Sequence, residues 1–310
     1  MSGKNIGFLG LGTMGAPMAR NLLRNGYAVC GFDPNPDALA RHREAGGTTA
    51  GSPREAAEGA DVVMAVLPDG PDVEKAALGA DGVIHSMKPG SIFIDTSTID
   101  PAVTRRVGAA LAERGVEMVD CPLGKTSDHA VAGTLTLIVG GKPQVVEKVR
   151  PVLDCIGKDF FYCGELGMGE AMKLTNNFLS AAILTASVEA LVMGVKSGLS
   201  LETMMSVMRT TMAWNNHLGT SLPIRALAGN FKPGFMIKLA EKDQRLAMDF
   251  AAALGATVPV GAAVYETLRE TARNGFADLD MSSVMRLRED QAGVQVRTAD
   301  VAEKPASSVA

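Results

Sequence analysis

Ile6-Gly7-Phe8-Leu9-Gly10-Leu11-Gly12-Thr13-Met14-Gly15 is the stretch whose reading decides the fold. It reads as an apolar strand, a tight turn and the start of a helix. Gly10 permits the turn, Gly12 lets a ligand come close to the backbone, and Gly15 lets the helix pack tightly on the strand. The N–H groups and positive dipole end of the helix then suit a pyrophosphate. A bare Gly-x-Gly-x-x-Gly is weak evidence. Here a second strand follows and ends in Asp33, 23 residues after Gly10, where a carboxylate can accept hydrogen bonds from ribose hydroxyls. That carboxylate repels a 2′-phosphate, and Pro34-Asn35 bring no arginine to welcome one. The reading is a dinucleotide site that takes NAD in preference to NADP; the bland alternative is a glycine-rich turn with no ligand.

Outward from this motif the first half of the chain alternates. β-rich runs fall at Ile6–Leu9, Ala28–Phe32, Val62–Val66, Ser91–Asp95, Val116–Val119 and Leu135–Val139. Between most of them lie stretches with helical spacing, such as Pro17–Asn25, Pro36–Ala45 and Pro101–Arg114. Strands alternating with helices mean βαβ units and a mainly parallel sheet. After Gly164 the alternation stops. The rest reads as helix, broken at 198–200, Pro223, 232–234, Val258-Pro259 and Asn274-Gly275, with a long first helix from Gly169 to Gly198. The expected architecture is α/β: a dinucleotide-binding Rossmann domain over residues 1–164, then an all-α domain over 165–295, joined by a long interdomain helix with a hinge near Gly164–Gly169. Residues 296–310 lack periodicity and read as a disordered tail.

Composition narrows the class. The 310 residues carry 46% hydrophobic and 21% charged side chains and a net charge of −4, with no basic block. Nucleic acid and anionic membranes are therefore poor partners. Cys30, Cys121, Cys155 and Cys163, with the four histidines, show neither zinc-ligand nor disulfide spacing. The thiols read as free and buried, and no metal is expected. No leader is visible, and the apolar run Ala181–Val195 carries Glu189 and reads as too short for a bilayer. The expected location is the cytoplasm.

The long helix is apolar almost all round, with Met172, Leu174, Phe178, Leu179, Ile183, Leu184, Val188, Leu191 and Val192. Such a helix is buried. Yet Lys173, Asn177 and Ser180 fall within about 60° of one another at 100° per residue, and Asn176 borders them. Lysine is rarely buried without a task or a partner. Beside a nicotinamide, burial would lower its pKa toward neutrality, and it could exchange a proton with a carbonyl or alcohol oxygen. The bland alternative is a lysine whose stem lies along apolar surface with its head in water. Asn177, one turn on, suits orienting that lysine or the substrate oxygen.

Together these residues resemble the β-hydroxyacid dehydrogenase family. The resemblance runs from Lys4 to Asp290 and rests on Gly10–Gly15, Asp95-Thr-Ser-Thr-Ile-Asp-Pro101, Asp120-Cys-Pro-Leu-Gly-Lys-Thr-Ser127 with Gly133-Thr-Leu-Thr, Gly169-Glu-Ala-Met-Lys-Leu-Thr-Asn-Asn177 and Lys238-Leu-Ala-Glu-Lys-Asp243. It implies an NAD-dependent oxidoreductase with Lys173 as acid/base. Asn177 and Lys242 would line the active site, Lys242 near the nicotinamide. Gly10, Gly12, Thr13, Met14, Gly15, Asp33, Leu67, Pro68 and Thr98 would hold the dinucleotide, and Gly124, Lys125, Thr126 and Ser127 the anionic end of the substrate, with Asn176 and Ser180 nearby. It also implies a homodimer or homotetramer.

One departure bears on substrate. The common pattern at 124–126 is Ser-Gly-Gly; here it is Gly124-Lys125-Thr126, similar to the sulfolactaldehyde reductase branch. A tetrahedral sulfonate asks for more donors than a carboxylate, and a cation beside two hydroxyls supplies them, although lysine lacks arginine's planar fork. The bland alternative for Lys125 is a solvated loop residue. The leading expectation is NAD-dependent reduction of 3-sulfolactaldehyde to 2,3-dihydroxypropane-1-sulfonate. The alternatives are the same chemistry on a carboxylate (3-hydroxyisobutyrate, 4-hydroxybutyrate/succinic semialdehyde or tartronate semialdehyde) and a non-catalytic dinucleotide-binding interaction protein.

Overall fold

The structure is a computed structural model that describes residues 5–298. Its strands are β1 Asn5–Leu9, β2 Ala28–Phe32, β3 Thr48–Thr49, β4 Val62–Ala65, β5 Ile92–Asp95, β6 Glu117–Asp120, β7 Leu123–Gly124, β8 Leu135–Gly140 and β9 Gly157–Gly164. Its helices are α1 Gly15–Arg24, α2 Pro36–Glu44, α3 Pro53–Ala56, α4 Gly70–Leu78, α5 Pro101–Ala112, α6 Ser127–Ala132, α7 Pro143–Leu153, α8 Met168–Lys196, α9 Leu201–Arg209, α10 Leu222–Ile224, α11 Ile237–Ala253, α12 Pro259–Thr271 and α13 Val284–Ala292. The chain divides into two compact units between Leu174 and Thr175, inside α8.

In the first unit the strands form one sheet in the order β3-β2-β1-β4-β5-β6-β8-β7, with β9 on the other side of β8. Pairing is parallel from β3 to β6 and between β8 and β9, and antiparallel where β8 meets β6 and β7. The strand order reverses direction at β1, with β2 on one side and β4 on the other, so a crevice is expected outside their carboxyl ends. β4 and β5 are buried at every position, as strands covered on both faces must be. Two apolar clusters provide that cover, one around Phe8, Met18, Ile94 and Leu137, the other around Val63, Phe93, Ile99 and Leu111. The six expected strands are present. β3, β7 and the eight-residue β9 were not foreseen.

His42 of α2 is 5% exposed and lies 3.3 Å from the Val29 carbonyl oxygen. Burial pushes its pKa below the ordinary imidazole value, so the unfolded chain takes up its proton first. Its contribution to stability is present above about pH 6.5 and lost as pH falls below that. Denaturant unfolding of wild type and His42→Gln should therefore converge on acidification; a difference constant from pH 7.5 to 5 would contradict this.

The second unit is helical, and among the described residues its one β contact is a bridge between Met236 and Asp280. Ala181, Leu184, Val188 and Leu191 of α8 pack with Leu218, Leu222, Ile237, Val264, Leu268 and Met285. The breakers act as expected: Ser200 caps α9, Pro259 opens α12, and Gly275 has φ of 88°.

Five expectations need correction, one of them that Met204, Met205, Met208, Met212 and Trp214 are core rather than subunit contact. The apolar run at 181–195 is part of a 29-residue helix that is long and apolar enough to cross a membrane by length and composition; counting only the run missed its flanks. That helix is also less buried than expected, with Leu179 57% and Met193 70% exposed. Met204 is core, but Met212 is fully exposed, and among the cysteines only Cys121 is fully buried. Residues 296–298, expected to be disordered, are packed against the second unit. Val296 is buried, Thr298 N donates to Leu227 O, and Arg297 forms a bidentate pair with Glu289; residues 299–310 lie outside the described residues.

Both partners of the Arg297–Glu289 pair are under 10% exposed. Removing one partner of such a pair strands a buried charge, which costs about 3–5 kcal/mol. Arg297→Ala is expected to lose roughly that much in urea unfolding; a loss under about 1 kcal/mol would mean the pair is solvated.

Candidate active site

The glycine turn has the geometry that the spacing predicts. Gly10 has φ of 90°, and a Cβ there would lie 2.2 Å from Val66 O. A Cβ on Gly15 would lie 1.9 Å from Gly10 O. Around Gly12 the space is open, with no atom within 4 Å of an added Cβ. Two glycines are therefore required by the protein's own packing, and the middle one faces open space. Asp33 ties the turn to β2: its carboxylate accepts from Leu11 N at 2.7 Å and Asn35 N at 2.8 Å. Each oxygen keeps a further lone pair for a ribose hydroxyl.

Leu67, Pro68 and Thr98 follow β4 and β5, so they share the carboxyl edge of the sheet with the glycine turn. Ser97 Oγ accepts from Leu67 N at 2.9 Å, and Asp95 Oδ1 accepts from Ser97 N at 3.0 Å. These bonds lock the two loops together. Residues of this edge therefore fit a dinucleotide, with the open side of Gly12 as the phosphate approach and Asp33 at the ribose position.

The start of α8 is anchored to the same sheet. Asp120, at the end of β6 and fully buried, accepts from Gly167 N at 2.8 Å and Glu170 N at 2.9 Å. A carboxylate at a helix N-terminus satisfies its orphan donors and complements its dipole. Burial pushes the Asp120 carboxyl above its ordinary value, while these amides pull it back. Glu170 Oε2 accepts from Ile99 N at 3.2 Å. No side chain fits beside this anchor. A Cβ on Gly140 or Gly169 would lie 2.4 or 2.7 Å from an Asp120 carboxylate oxygen.

One turn into α8, Lys173 is 9% exposed and its Nζ donates to Leu123 O at 2.7 Å. The anchor thus delivers the lysine to the first residue of the Leu123–Ser127 segment. There Lys125 has φ of 75°, the one non-glycine residue with positive φ among those described. The common family glycine at this position fits that backbone without strain. The Lys125 ammonium is engaged: it donates to Asp159 Oδ2 at 2.6 Å and to Thr134 O at 2.9 Å. Thr126 Oγ1 lies 3.0 Å from His129 Nδ1.

In the second unit, Asn177 Nδ2 donates to Asp243 Oδ2 at 2.7 Å, and Lys242 Nζ lies 3.2 Å from Asp243 Oδ1. Asp243 therefore holds two expected site residues together. Asn176 Nδ2 donates to Asn177 Oδ1 at 3.1 Å. Ser180 is held separately, with its Oγ 3.0 Å from His217 Nε2. His217 is pushed below the ordinary imidazole value by burial. Sequence reasoning passed over Asp120, Glu170, Asp243 and His217 as site builders. The first three stood inside the quoted motifs; His217 had no such signal.

Comparison with known proteins bears on this geometry. Residues 5–164 match the NAD binding domain of 6-phosphogluconate dehydrogenase, and residues 167–288 match the family described as NAD-binding of NADP-dependent 3-hydroxyisobutyrate dehydrogenase. The chain is 36% identical over 292 residues to the 3-sulfolactaldehyde reductase of Escherichia coli (strain K12), covering 94% of this chain and 98% of that one. It is 37% identical over 290 residues to an NAD-dependent L-serine dehydrogenase of Pseudomonas aeruginosa, covering 92% and 97%. Among solved structures, a Mycobacterium tuberculosis 3-hydroxyisobutyrate dehydrogenase with L-serine superposes with a TM-score of 0.86 at 36% identity, over 92% of this chain and 98% of that one. These relatives are dehydrogenases and reductases with NAD-binding domains, and they define an oxidoreductase acting on CH–OH groups. The chain belongs to the β-hydroxyacid dehydrogenase family and is NAD-dependent.

Proposed function

We propose that the protein interconverts the alcohol and aldehyde of a short anionic hydroxy acid, with Lys173 as the acid/base. The single observation that carries this is the buried Lys173 Nζ held against Leu123 O, at the head of the segment expected to seat the anionic end. Bound NAD supplies the hydride acceptor, and NADH the donor, at the nicotinamide. Gly10, Gly12, Thr13, Met14, Gly15, Asp33, Leu67, Pro68 and Thr98 would hold it, with Lys242 at the nicotinamide end. In the reducing direction Lys173 gives a proton to the carbonyl oxygen; in the other it takes the hydroxyl proton. Asn177 orients the substrate oxygen, with Asn176 and Ser180 alongside. Gly124, Thr126 and Ser127 offer backbone and hydroxyl donors to the anion.

Within that class the first substrate to test is 3-sulfolactaldehyde, reduced to 2,3-dihydroxypropane-1-sulfonate. The Lys125-Thr126-Ser127 run supports it. The Lys125–Asp159 pair favours a second reading, a carboxylate substrate, because it neutralises the added cation. Steady-state kinetics with NADH on sulfolactaldehyde, succinic semialdehyde and tartronate semialdehyde separate the two. Equal or better turnover of a carboxylate removes the sulfonate assignment. Absence of turnover across the panel removes the proposal. A homo-oligomer and a cytoplasmic location belong to the same reading; exposed Leu179, Met193, Val207 and Met212 in the second unit support the former.

Asp243→Ala strips Asn177 and Lys242 of their shared acceptor. A hydrogen bond to a charged group contributes about 1.5–3 kcal/mol, and a tenfold loss of kcat/KM corresponds to about 1.4 kcal/mol. A loss of about tenfold or more is expected in steady-state assays, with NADH binding measured by fluorescence changed less.

A further inference from the structure

We propose that Asp159 is a specificity-determining residue that holds the Lys125 ammonium in reserve until the anionic head of the substrate displaces it. The inference rests on the proposed seating of that head at residues 124–127. Three observations support it. First, Asp159 lies across the sheet from the turn: Gly124 pairs with Thr136, and Thr136 pairs with Asp159. The carboxylate on β9 thus stands within one lysine arm of the turn, and the 2.6 Å contact shows that the arm reaches it.

Second, residue 125 holds a left-handed backbone that a side chain rarely adopts. Such a conformation persists where surrounding contacts fix it. Its contacts here are those of the ammonium, to Asp159 and to Thr134 O. Lysine at this position therefore makes a strap from the turn to β9 and to Thr134, the residue before β8, where glycine would make none.

Third, the pair is open to exchange. The two side chains are 34% and 50% exposed, and solvent-exposed pairs are weak. Asp159 is held ionised by the hydrogen bond and charge of Lys125, below the ordinary carboxyl value. A sulfonate or carboxylate arriving at the turn offers Lys125 a like anion. Exchange of one anion for another keeps the ammonium paired throughout, and Asp159 passes into water. Asp159 therefore competes with substrate and with nothing that lacks an anionic head.

The test is kinetic and spectroscopic. Asp159→Asn is expected to lower KM for the best anionic substrate about two- to fivefold, the range in which a weak exposed pair acts. KM for glyceraldehyde, which keeps the aldehyde and lacks the anion, should not move. In a Lys125→Gly background, where glycine fits the backbone, Asp159→Asn should have no effect. A purely structural Asp159 would instead raise KM for both substrates and persist in that background, which overturns the proposal. A side-chain carbon NMR titration of the wild-type NADH complex gives an independent reading. Added 2,3-dihydroxypropane-1-sulfonate or 3-hydroxyisobutyrate should move the Asp159 midpoint up toward the ordinary carboxyl value. An unmoved midpoint in an enzyme that turns over anionic substrates overturns this inference alone. No turnover and an unmoved midpoint overturn it together with the proposed function.

Discussion

Lys173→Met is expected to lower kcat by about 10²–10⁴-fold, the range for removal of a general acid/base. Methionine keeps the length and apolar stem of the side chain, so packing around α8 changes little. What disappears is the ammonium donating to Leu123 O. That carbonyl loses its partner, so a modest stability loss of about 1–3 kcal/mol accompanies the change. NADH affinity should hold within about threefold, a shift of under 1 kcal/mol, because the glycine turn and Asp33 are untouched. A kcat within tenfold of wild type at any pH would exclude Lys173 as the proton carrier. Lys173→Arg is the complementary variant. It keeps the charge but does not deprotonate, so the oxidising direction should suffer more than packing alone explains.

Gly15→Ala should abolish tight NADH binding. The added methyl carbon would sit 1.9 Å from Gly10 O and 2.8 Å from a Val66 methyl group. Neither gives way cheaply: the first is backbone in the glycine turn, the second lies at the end of β4. The turn must move, and the Leu11 N–Asp33 bond moves with it. Forced overpacking costs about 1–3 kcal/mol and sometimes more. The expected readout is a lowered thermal midpoint and an NADH Kd raised by about tenfold or more, at 1.4 kcal/mol per decade. Gly12→Ala makes the contrast. Nothing within 4 Å opposes its methyl group in the protein itself, so the fold should stand while cofactor affinity falls. Equal stability losses for both variants would contradict the distinct roles assigned to the two glycines.

Much of this was legible beforehand because it is local. Alternating apolar runs gave β1, β2, β4, β5, β6 and β8, and the Gly10–Gly15 spacing gave the turn. α8 was expected at 169–198 and runs over Met168–Lys196. β7 and β3 are two residues each and leave no periodic trace. β9 was missed for a different reason. In Gly157-Lys-Asp-Phe-Phe-Tyr-Cys-Gly164 the consecutive Phe161 and Tyr162 are both exposed, so the run does not alternate. The boundary expected at Gly164 falls at the end of β9 and between the two family matches, 5–164 and 167–288, while the compact units divide ten residues later, within an unbroken helix. No change of composition marks that point.

The site divides the same way. Lys173 stood out as a charge on an apolar helix. Its partner Leu123 lies 50 positions away in sequence, and Asp120, which holds the start of the helix at Gly167 and Glu170, lies 47 and 50 positions from them; no pattern connects them. Lys125 was read as a cation offered to substrate, and its partner Asp159 was invisible, being 34 residues distant. The residue types were readable in each case; their pairings required the sheet.

The sheet ends unequally. At one margin β3 is two residues long, too brief to template another chain. At the other, β9 runs eight residues and leaves one row of amides and carbonyls with no neighbouring strand among the described residues. Phe161 and Tyr162 add apolar bulk there, and Lys158 and Asp159 supply the charge that guards such margins against sticking. The self-association that follows heating or overexpression should therefore begin along β9, and a substitution that removes Asp159's charge carries a solubility cost as well as a kinetic effect.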